Sequence, residues 1–143
     1  MPSLQERLAE ILRDVMRVEE EPDGGLTVRH GGTFASLRVV TIVEDLELVS
    51  LTQILAWDLP LTKQVSEQLA KHAREANFGS VTTVAKPAQR GKSASKTTSK
   101  AAKTADVMLR YNFPGAGLTD DALRTLILLV LDSGTRIRNL LVT

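Results

Sequence analysis

The sequence lacks cysteine altogether and has no long apolar run. Without cysteine among its 143 residues, the chain cannot form disulfides, thiolate nucleophiles or cysteine-based metal sites. The longest uninterrupted apolar run, residues 126–131, has six residues, whereas a membrane-spanning helix needs about 18 or more. The N-terminal stretch also lacks the basic region and apolar core of a signal peptide. We therefore expect a cytoplasmic protein with no membrane partner.

Residues that carry chemistry are equally scarce. The two histidines, His30 and His72, have no clustered carboxylates at metal-ligand spacing. We therefore expect His30 to be a surface residue near a turn and His72 to be a partly buried helix residue. The glycines form turn motifs, with neither a dinucleotide fingerprint nor a phosphate-binding loop. The pair Asp120 and Asp121 suits the start of a helix better than acid–base catalysis. The sequence predicts no catalytic residues, cofactor or metal.

What the sequence does contain is a strong β-ribbon pattern. Residues 34–58 hold two runs rich in β-branched and aliphatic residues, separated by the polar pair Glu44 and Asp45, which predicts two long strands joined by a tight turn. Apolar residues occur on both alternating sets, so we expect the other elements to cover both faces of the ribbon. A content of 43% apolar residues in a chain of this length is typical of one domain.

Helical and strand patterns surround the ribbon. Ser3 and Glu6 fit a capping box before an amphipathic helix, Thr62 is the expected N-cap of a second helix, and Thr119 that of a long final helix. The segments 80–85 and 106–113 read as a strand pair. The predicted fold is α+β: an antiparallel β-sheet of about five strands flanked by three helices, in the order α-β-β-β-α-β-β-α, within a single domain of residues 1–143.

Two features interrupt the expected pattern of a buried core. Trp57, the only tryptophan in a chain with 3% aromatics, stands at the end of the ribbon, where it suits either a packing anchor or a binding hot spot. Leu128 and Leu129 fall outside the apolar stripe of the final helix. They are either ordinary exposed leucines or part of a partner or dimer surface.

A basic, low-complexity tract lies between the last two predicted strands. Residues 86–105 carry six basic side chains and no acid, so the remainder of the chain has a net charge of −5. The basic residues are Lys86, Arg90, Lys92, Lys96, Lys100 and Lys103. With few large apolar residues, the tract is predicted to be a disordered insertion. Six charges could bind nucleic acid weakly, although the tract has no aromatic residue for base stacking.

The element order and several segments resemble a known family. Residues 55–62 (LAWDLPLT) lead into a helix that ends NFG, and YNF followed by GLTDD leads into the long final helix. In this the chain is similar to the YbjN-like and type III secretion chaperone-like superfamily, and most of all to its small actinobacterial-type members. The resemblance covers nearly the whole chain outside the basic tract.

The resemblance implies a non-enzymatic chaperone-like module, usually dimeric, that holds a protein or peptide client on an apolar groove or a sheet edge. Together with the residue patterns, it gives a predicted partner-binding set of Trp57, Leu59, Val65, Leu69, Leu128 and Leu129. Two alternatives remain open: a nucleic-acid-associated protein that uses the tract 86–105, and a small enzyme of unrecognised type.

Overall fold

The computed structural model describes residues 3–87 and 103–142. Within them the chain forms three helices and six strands. The elements are α1 (Leu4–Arg13), β1 (Val18–Glu20), β2 (Leu26–His30), β3 (Thr33–Val43), β4 (Leu46–Pro60), α2 (Lys63–Glu75), β5 (Ser80–Pro87), β6 (Lys103–Pro114) and α3 (Asp120–Val142). The predicted α+β class is confirmed. The sheet has one strand more than expected because residues 18–20 form a short edge strand on β2.

All six strands belong to one antiparallel sheet, in the order β1-β2-β3-β4-β6-β5. The predicted ribbon is its centre: β3 and β4 pair from Phe34 opposite Ile54 to Val43 opposite Leu46. Asp45, in the turn, has a φ of 68°, a conformation that aspartate tolerates better than most residues. The ribbon therefore organises the fold, as its pattern predicts.

The core lies between one face of the sheet and the helices. Strand residues on this face, such as Leu37, Leu51 and Leu109, are completely buried and share a cluster with Leu8 of α1 and Ile127 of α3. The stripe predicted on α3 is buried throughout. It consists of Leu123, Ile127, Val130, Gly134, Ile137 and Leu141. Burial of this stripe against the sheet is the main apolar contribution of α3 to stability.

The helices begin where local sequence predicts. Ser3 and Glu6 form the capping box, the Ser3 side chain accepting from the backbone N–H of Glu6. Thr62 caps α2 by accepting from the Val65 N–H. The hydroxyl of Thr119 accepts from the Ala122 N–H at the start of α3. Each cap satisfies a backbone donor that the helix itself cannot pair.

The prediction that both faces of the ribbon are covered is wrong for the described residues. The alternate set of strand residues is exposed or partly exposed, with Phe34, Val40 and Val84 among the exposed ones. We call this side of the sheet the open face. The helices leave it bare because α1, α2 and α3 all pack on the opposite face, where they share one core.

The strands also extend into both ends of the basic tract. Ala85 pairs with Ala105, Lys86 with Thr104 and Pro87 with Lys103, so disorder is a wrong prediction for these ends. Backbone pairing continues there because Ala105 is buried and Lys86 forms ion pairs with Asp58 and Asp106. The rest of the predicted disordered insertion lies outside the described residues. Among the described helices, none has the length and apolarity to cross a membrane.

Candidate binding groove between helices α2 and α3

A groove of about 470 Å³ with an open entrance and several apolar side chains lies between α2 and α3. One wall is the C-terminal half of α2 together with residues 76–78, and the other is the face of α3 from Leu129 to Leu140. We call it the α2–α3 groove. Its volume falls within the range of about 300–1,000 Å³ that is typical of ligand sites.

The groove has apolar side chains at several depths. Ile137 is buried and Phe78 is half-buried, whereas Leu129 and Leu140 are 46% and 48% exposed. Exposed leucines at both ends of a groove with an apolar interior provide contact area that the folded chain itself does not use.

An aromatic row supports the floor of the groove. Phe78 meets Tyr111 edge to face, with ring centroids 6.4 Å apart, and Tyr111 stacks on Phe113 at 5.4 Å. Tyr111 and Phe113 lie on β6, on the helix-covered face of the sheet. Phe78 is therefore fixed by contacts that lead into the core, so this part of the floor is already ordered before any partner binds.

The rim carries both signs of charge. Lys71 and Arg136 contribute two cations, and Glu75 and Asp132 contribute two carboxylates. Asp132 also pairs with His30 at 2.8 Å. Because the charges are mixed, the groove has no strong preference for an anion or a cation, and its selectivity must come from shape and apolar contact.

A separate ionic cluster joins the ends of β4, β5 and β6. Lys86 forms ion pairs with Asp58 and Asp106, and the Asp58 N–H donates to the Asp106 carboxylate at 3.0 Å. That backbone donor first, and then the Lys86 ammonium, lowers the pKa of Asp106. The two carboxylates raise the pKa of Lys86. The cluster is explained by strand pairing and does not form a catalytic arrangement with the groove.

The structure separates the residues predicted to bind a partner. Leu129 lines the groove, but Leu128 is half-buried and does not. Leu59 and Leu69 are buried and Val65 is partly buried against the core, so none of these three lines the groove.

Trp57 lies away from the groove. It is 61% exposed, in the part of β4 where the register with β6 shifts between Ala56 and Leu59. Its neighbours Ala56 and Leu59 face the core, so the shift leaves the indole on the other side. The packing-anchor interpretation does not fit this exposure.

Sequence reasoning missed Phe78 and Leu140. The signal for Leu140 was a second helical stripe on α3, in which Leu129, Ser133, Arg136 and Leu140 follow at helical spacing. Phe78 had no such signal, because its role depends on the contact with Tyr111 on a distant strand.

Of the basic tract, Lys86 and Lys103 lie in strands, and Lys86 is held in ion pairs. Arg90, Lys92, Lys96 and Lys100 lie outside the described residues. In the described ranges, no group of three or more histidine, aspartate or glutamate side chains could hold a metal ion.

Comparison with family models, with curated proteins and with solved structures finds no match to this chain. The resemblance to YbjN-like and type III secretion chaperone-like proteins therefore stays a prediction. The fold and the groove define the chain as a two-layer α+β protein with an open groove that has both apolar and charged side chains.

Proposed function

We propose that the chain is a non-enzymatic polypeptide-binding module and that the α2–α3 groove holds its client. The observation that carries this proposal is the pair of exposed leucines, Leu129 and Leu140, above the ordered apolar floor of Phe78 and Ile137. The client is an amphipathic segment whose apolar side chains enter the groove while its polar side chains meet the mixed charges of the rim.

The same proposal agrees with what the family resemblance implies, namely a chaperone-like module without catalytic residues. We also propose the cytoplasm as its compartment, in keeping with a sequence that has no cysteine. The nucleic-acid alternative gains no support from the described residues, because Lys86 is engaged with Asp58 and Asp106.

The test is peptide selection followed by binding measurements. Peptides selected from a random displayed library on the full chain are labelled, and their affinities are measured by fluorescence anisotropy for the native protein, Leu129→Asp and Leu140→Asp. A charge placed on an apolar contact is costly, so each variant is expected to bind about tenfold or more weakly.

The matched control is Val15→Asp, because Val15 is exposed to a similar extent, 45%, and does not line the groove. It should bind the selected peptides as the native protein does. Circular dichroism confirms that all three variants are folded. Equal affinities for the native protein, both groove variants and the control would reject the groove as the client site.

A further inference from the structure

Both histidines of the chain lie at the α2–α3 groove. His72, on α2, lines the groove directly. His30, on β2, reaches it from the sheet: its Nε2 lies 2.8 Å from the carboxylate of Asp132, which lines the groove from α3. The sequence has no third histidine. Because histidine is the side chain whose charge ordinarily changes between about pH 5 and pH 8, all of the chain's imidazoles are gathered at one surface.

His30 is held by hydrogen bonds to its own turn and to α3. Its carbonyl accepts from the Thr33 hydroxyl at 2.6 Å and from the Thr135 hydroxyl at 3.4 Å. The Asp132 side chain that the imidazole contacts is 66% exposed, so the same carboxylate is also accessible from the groove. Protonation of His30 therefore decides whether a client meets a free carboxylate or one whose charge is already balanced.

Asp132 is the charged group that pairs with His30 among the described residues. Arg29, the preceding residue on β2, lies on the open face, over an aromatic ring of β3. Arg138, on α3, donates to the Leu55 carbonyl at 2.7 Å. Because both arginines are engaged elsewhere, a proton gained by His30 acts mainly on Asp132.

The other charges of the groove come from both of its walls. Lys71 and Glu75 lie on α2 with His72, and Asp132 and Arg136 line the groove from α3. These two cations and two carboxylates balance while the imidazoles are neutral, and such groups ordinarily keep their charge between about pH 5 and pH 8. Protonation of both imidazoles therefore gives the groove a net positive charge.

We propose that the groove is pH-dependent and that, in mild acid, it selects amphipathic clients whose polar side chains are carboxylates. This inference rests on the proposed function, because it concerns the same groove. Protonated His72 attracts a client carboxylate directly, and protonated His30 offsets the Asp132 carboxylate that would repel one. At about pH 8 the imidazoles are neutral, the charges of the rim balance, and acidic clients lose this advantage.

The expected size of the effect follows from the exposure of the groups. An ion pair near a protein surface changes an affinity by a factor of about five at most, so the two histidines together give a preference of about fivefold at low salt. Salt screens such pairs, so the preference should fall as the ionic strength rises. The apolar contacts of Leu129 and Leu140 should depend much less on salt.

The test uses one client in two forms. A peptide selected on the full chain is synthesised with its polar positions as glutamate or as glutamine, so the two peptides differ chiefly in charge. Glutamate is ordinarily ionised above about pH 5, so the glutamate peptide keeps its charge throughout. Affinities are measured by fluorescence anisotropy at about pH 5.5 and about pH 8, at low salt.

We expect the native protein to bind the glutamate peptide about fivefold more tightly at the lower pH, and the glutamine peptide with similar affinity at both. The variant with His30→Gln and His72→Gln has no histidine left, so its affinity for the glutamate peptide should not depend on pH. Each single variant should retain part of the dependence. Val15→His places an imidazole at an exposed position outside the groove, and this control should keep the native ratio.

His72→Lys tests the direction of the effect. Lysine ordinarily carries its charge at both pH values, so this variant should prefer the glutamate peptide over the glutamine peptide even at about pH 8. The ratio of the two affinities is the readout, because the size of the new side chain acts on both peptides alike. A smaller pH dependence should remain, since His30 still titrates.

Calorimetry gives a second readout. Tighter binding in acid requires the complex to take up protons, and titrations in two buffers of different ionisation enthalpy at about pH 6.5 measure this uptake. The native protein should take up protons when it binds the glutamate peptide. The double histidine variant should take up none.

Two results overturn the inference and leave the proposed function intact: a native protein with equal affinity for the glutamate peptide at both pH values, or a double histidine variant that keeps the native ratio. In both cases Leu129→Asp still weakens the binding of both peptides. If Leu129→Asp weakens neither, the groove is not the client site, and the proposed function and this inference are both rejected. Circular dichroism at both pH values confirms that every variant is folded.

Discussion

Gln53 shows how one polar side chain can fix the packing of a helix on the sheet. It is completely buried on β4, and its side-chain amide donates to the Thr33 hydroxyl at 2.8 Å and to the Leu131 carbonyl on α3 at 3.1 Å. Its Oε1 has no hydrogen-bond partner among the described residues. The carboxamide fits against the helix only because residue 134 is glycine, since a Cβ there would lie 2.5 Å from the Gln53 Cδ.

Gly134→Ala is therefore expected to destabilise the fold. Alanine normally favours a helix interior over glycine by about 1 kcal/mol, but here overlap with Gln53 should reverse the sign and lower the free energy of unfolding by about 1–3 kcal/mol. Urea unfolding followed by circular dichroism measures the difference. Thr125→Ala, an exposed position on the same helix, is the control for propensity alone.

A double-mutant cycle completes this prediction. Gln53→Ala removes the atoms that the new methyl group would meet, so the double variant with Gly134→Ala should be more stable than the sum of the two single losses predicts. Simple additivity of the two losses, or a stabilising Gly134→Ala, would contradict the account of this contact.

At the scale of elements, the ends of β4, β5 and β6 are joined by side chains as well as by the backbone ladder. Asp58, in the bulged stretch of β4, has a φ of 50°, and its N–H donates to the Asp106 carboxylate on β6. Lys86 on β5 completes the cluster.

This cluster predicts a pH dependence for the Asp106→Asn variant. The pKa of Asp106 is lowered in the fold, so its stabilising contribution is present above the ordinary aspartate pKa and is lost as the pH falls through the lowered value. The variant should be modestly less stable than the native protein at neutral pH, and the difference should shrink in acid. Thermal unfolding over an acidic pH series measures it.

Lys86→Gln is the companion variant for this series. It removes only the second cause of the lowered pKa and leaves the Asp58 N–H, so its loss at neutral pH should be smaller and should also diminish in acid. A difference between Asp106→Asn and the native protein that stays constant from neutral to acidic pH would show that ionisation of Asp106 does not stabilise the fold.

The elements differ in how well the sequence predicts them. Capping residues such as Ser3, Thr62 and Thr119 accept hydrogen bonds from backbone N–H groups three residues further along the chain. The local sequence is therefore enough to predict where the helices begin. The sequence allows a short acidic edge strand at residues 17–21, and the structure has one at Val18–Glu20. The extension of β5 and β6 into the basic tract depends on pairing between distant segments, and its polar residues give little local signal.

The candidate groove was predictable only in part, for the same reason. Leu129 was recognised because it departs from the stripe of its own helix, which is a local observation. The groove itself requires α2 and α3 to lie side by side, and its floor requires Phe78 to meet Tyr111. Helical periodicity shows that Leu69 shares a face with Val65, but it does not show whether that face is covered.

At the scale of the whole molecule, the one-sided packing of the helices produces two separate surfaces. The α2–α3 groove lies in the helix layer, and the open face lies on the far side of the sheet. A client in the groove therefore leaves the open face accessible.

This arrangement predicts that client binding does not involve the open face. The variant with Arg29→Glu and Arg110→Glu should bind the selected peptides with the affinity of the native protein within about twofold, because neither arginine lines the groove. Fluorescence anisotropy with the same labelled peptides checks this. A loss of about tenfold or more would show that the two surfaces are coupled.

The central claim is that the α2–α3 groove holds the client, and the most direct test is hydrogen exchange of the native protein with and without a selected peptide. The account predicts slower exchange in the second half of α2, in residues 76–78 and in α3 from Leu129 to Leu140, with little change in β3 and β4. Protection confined to the open face or to the edge strand β5, with none along α2 and α3, would contradict it.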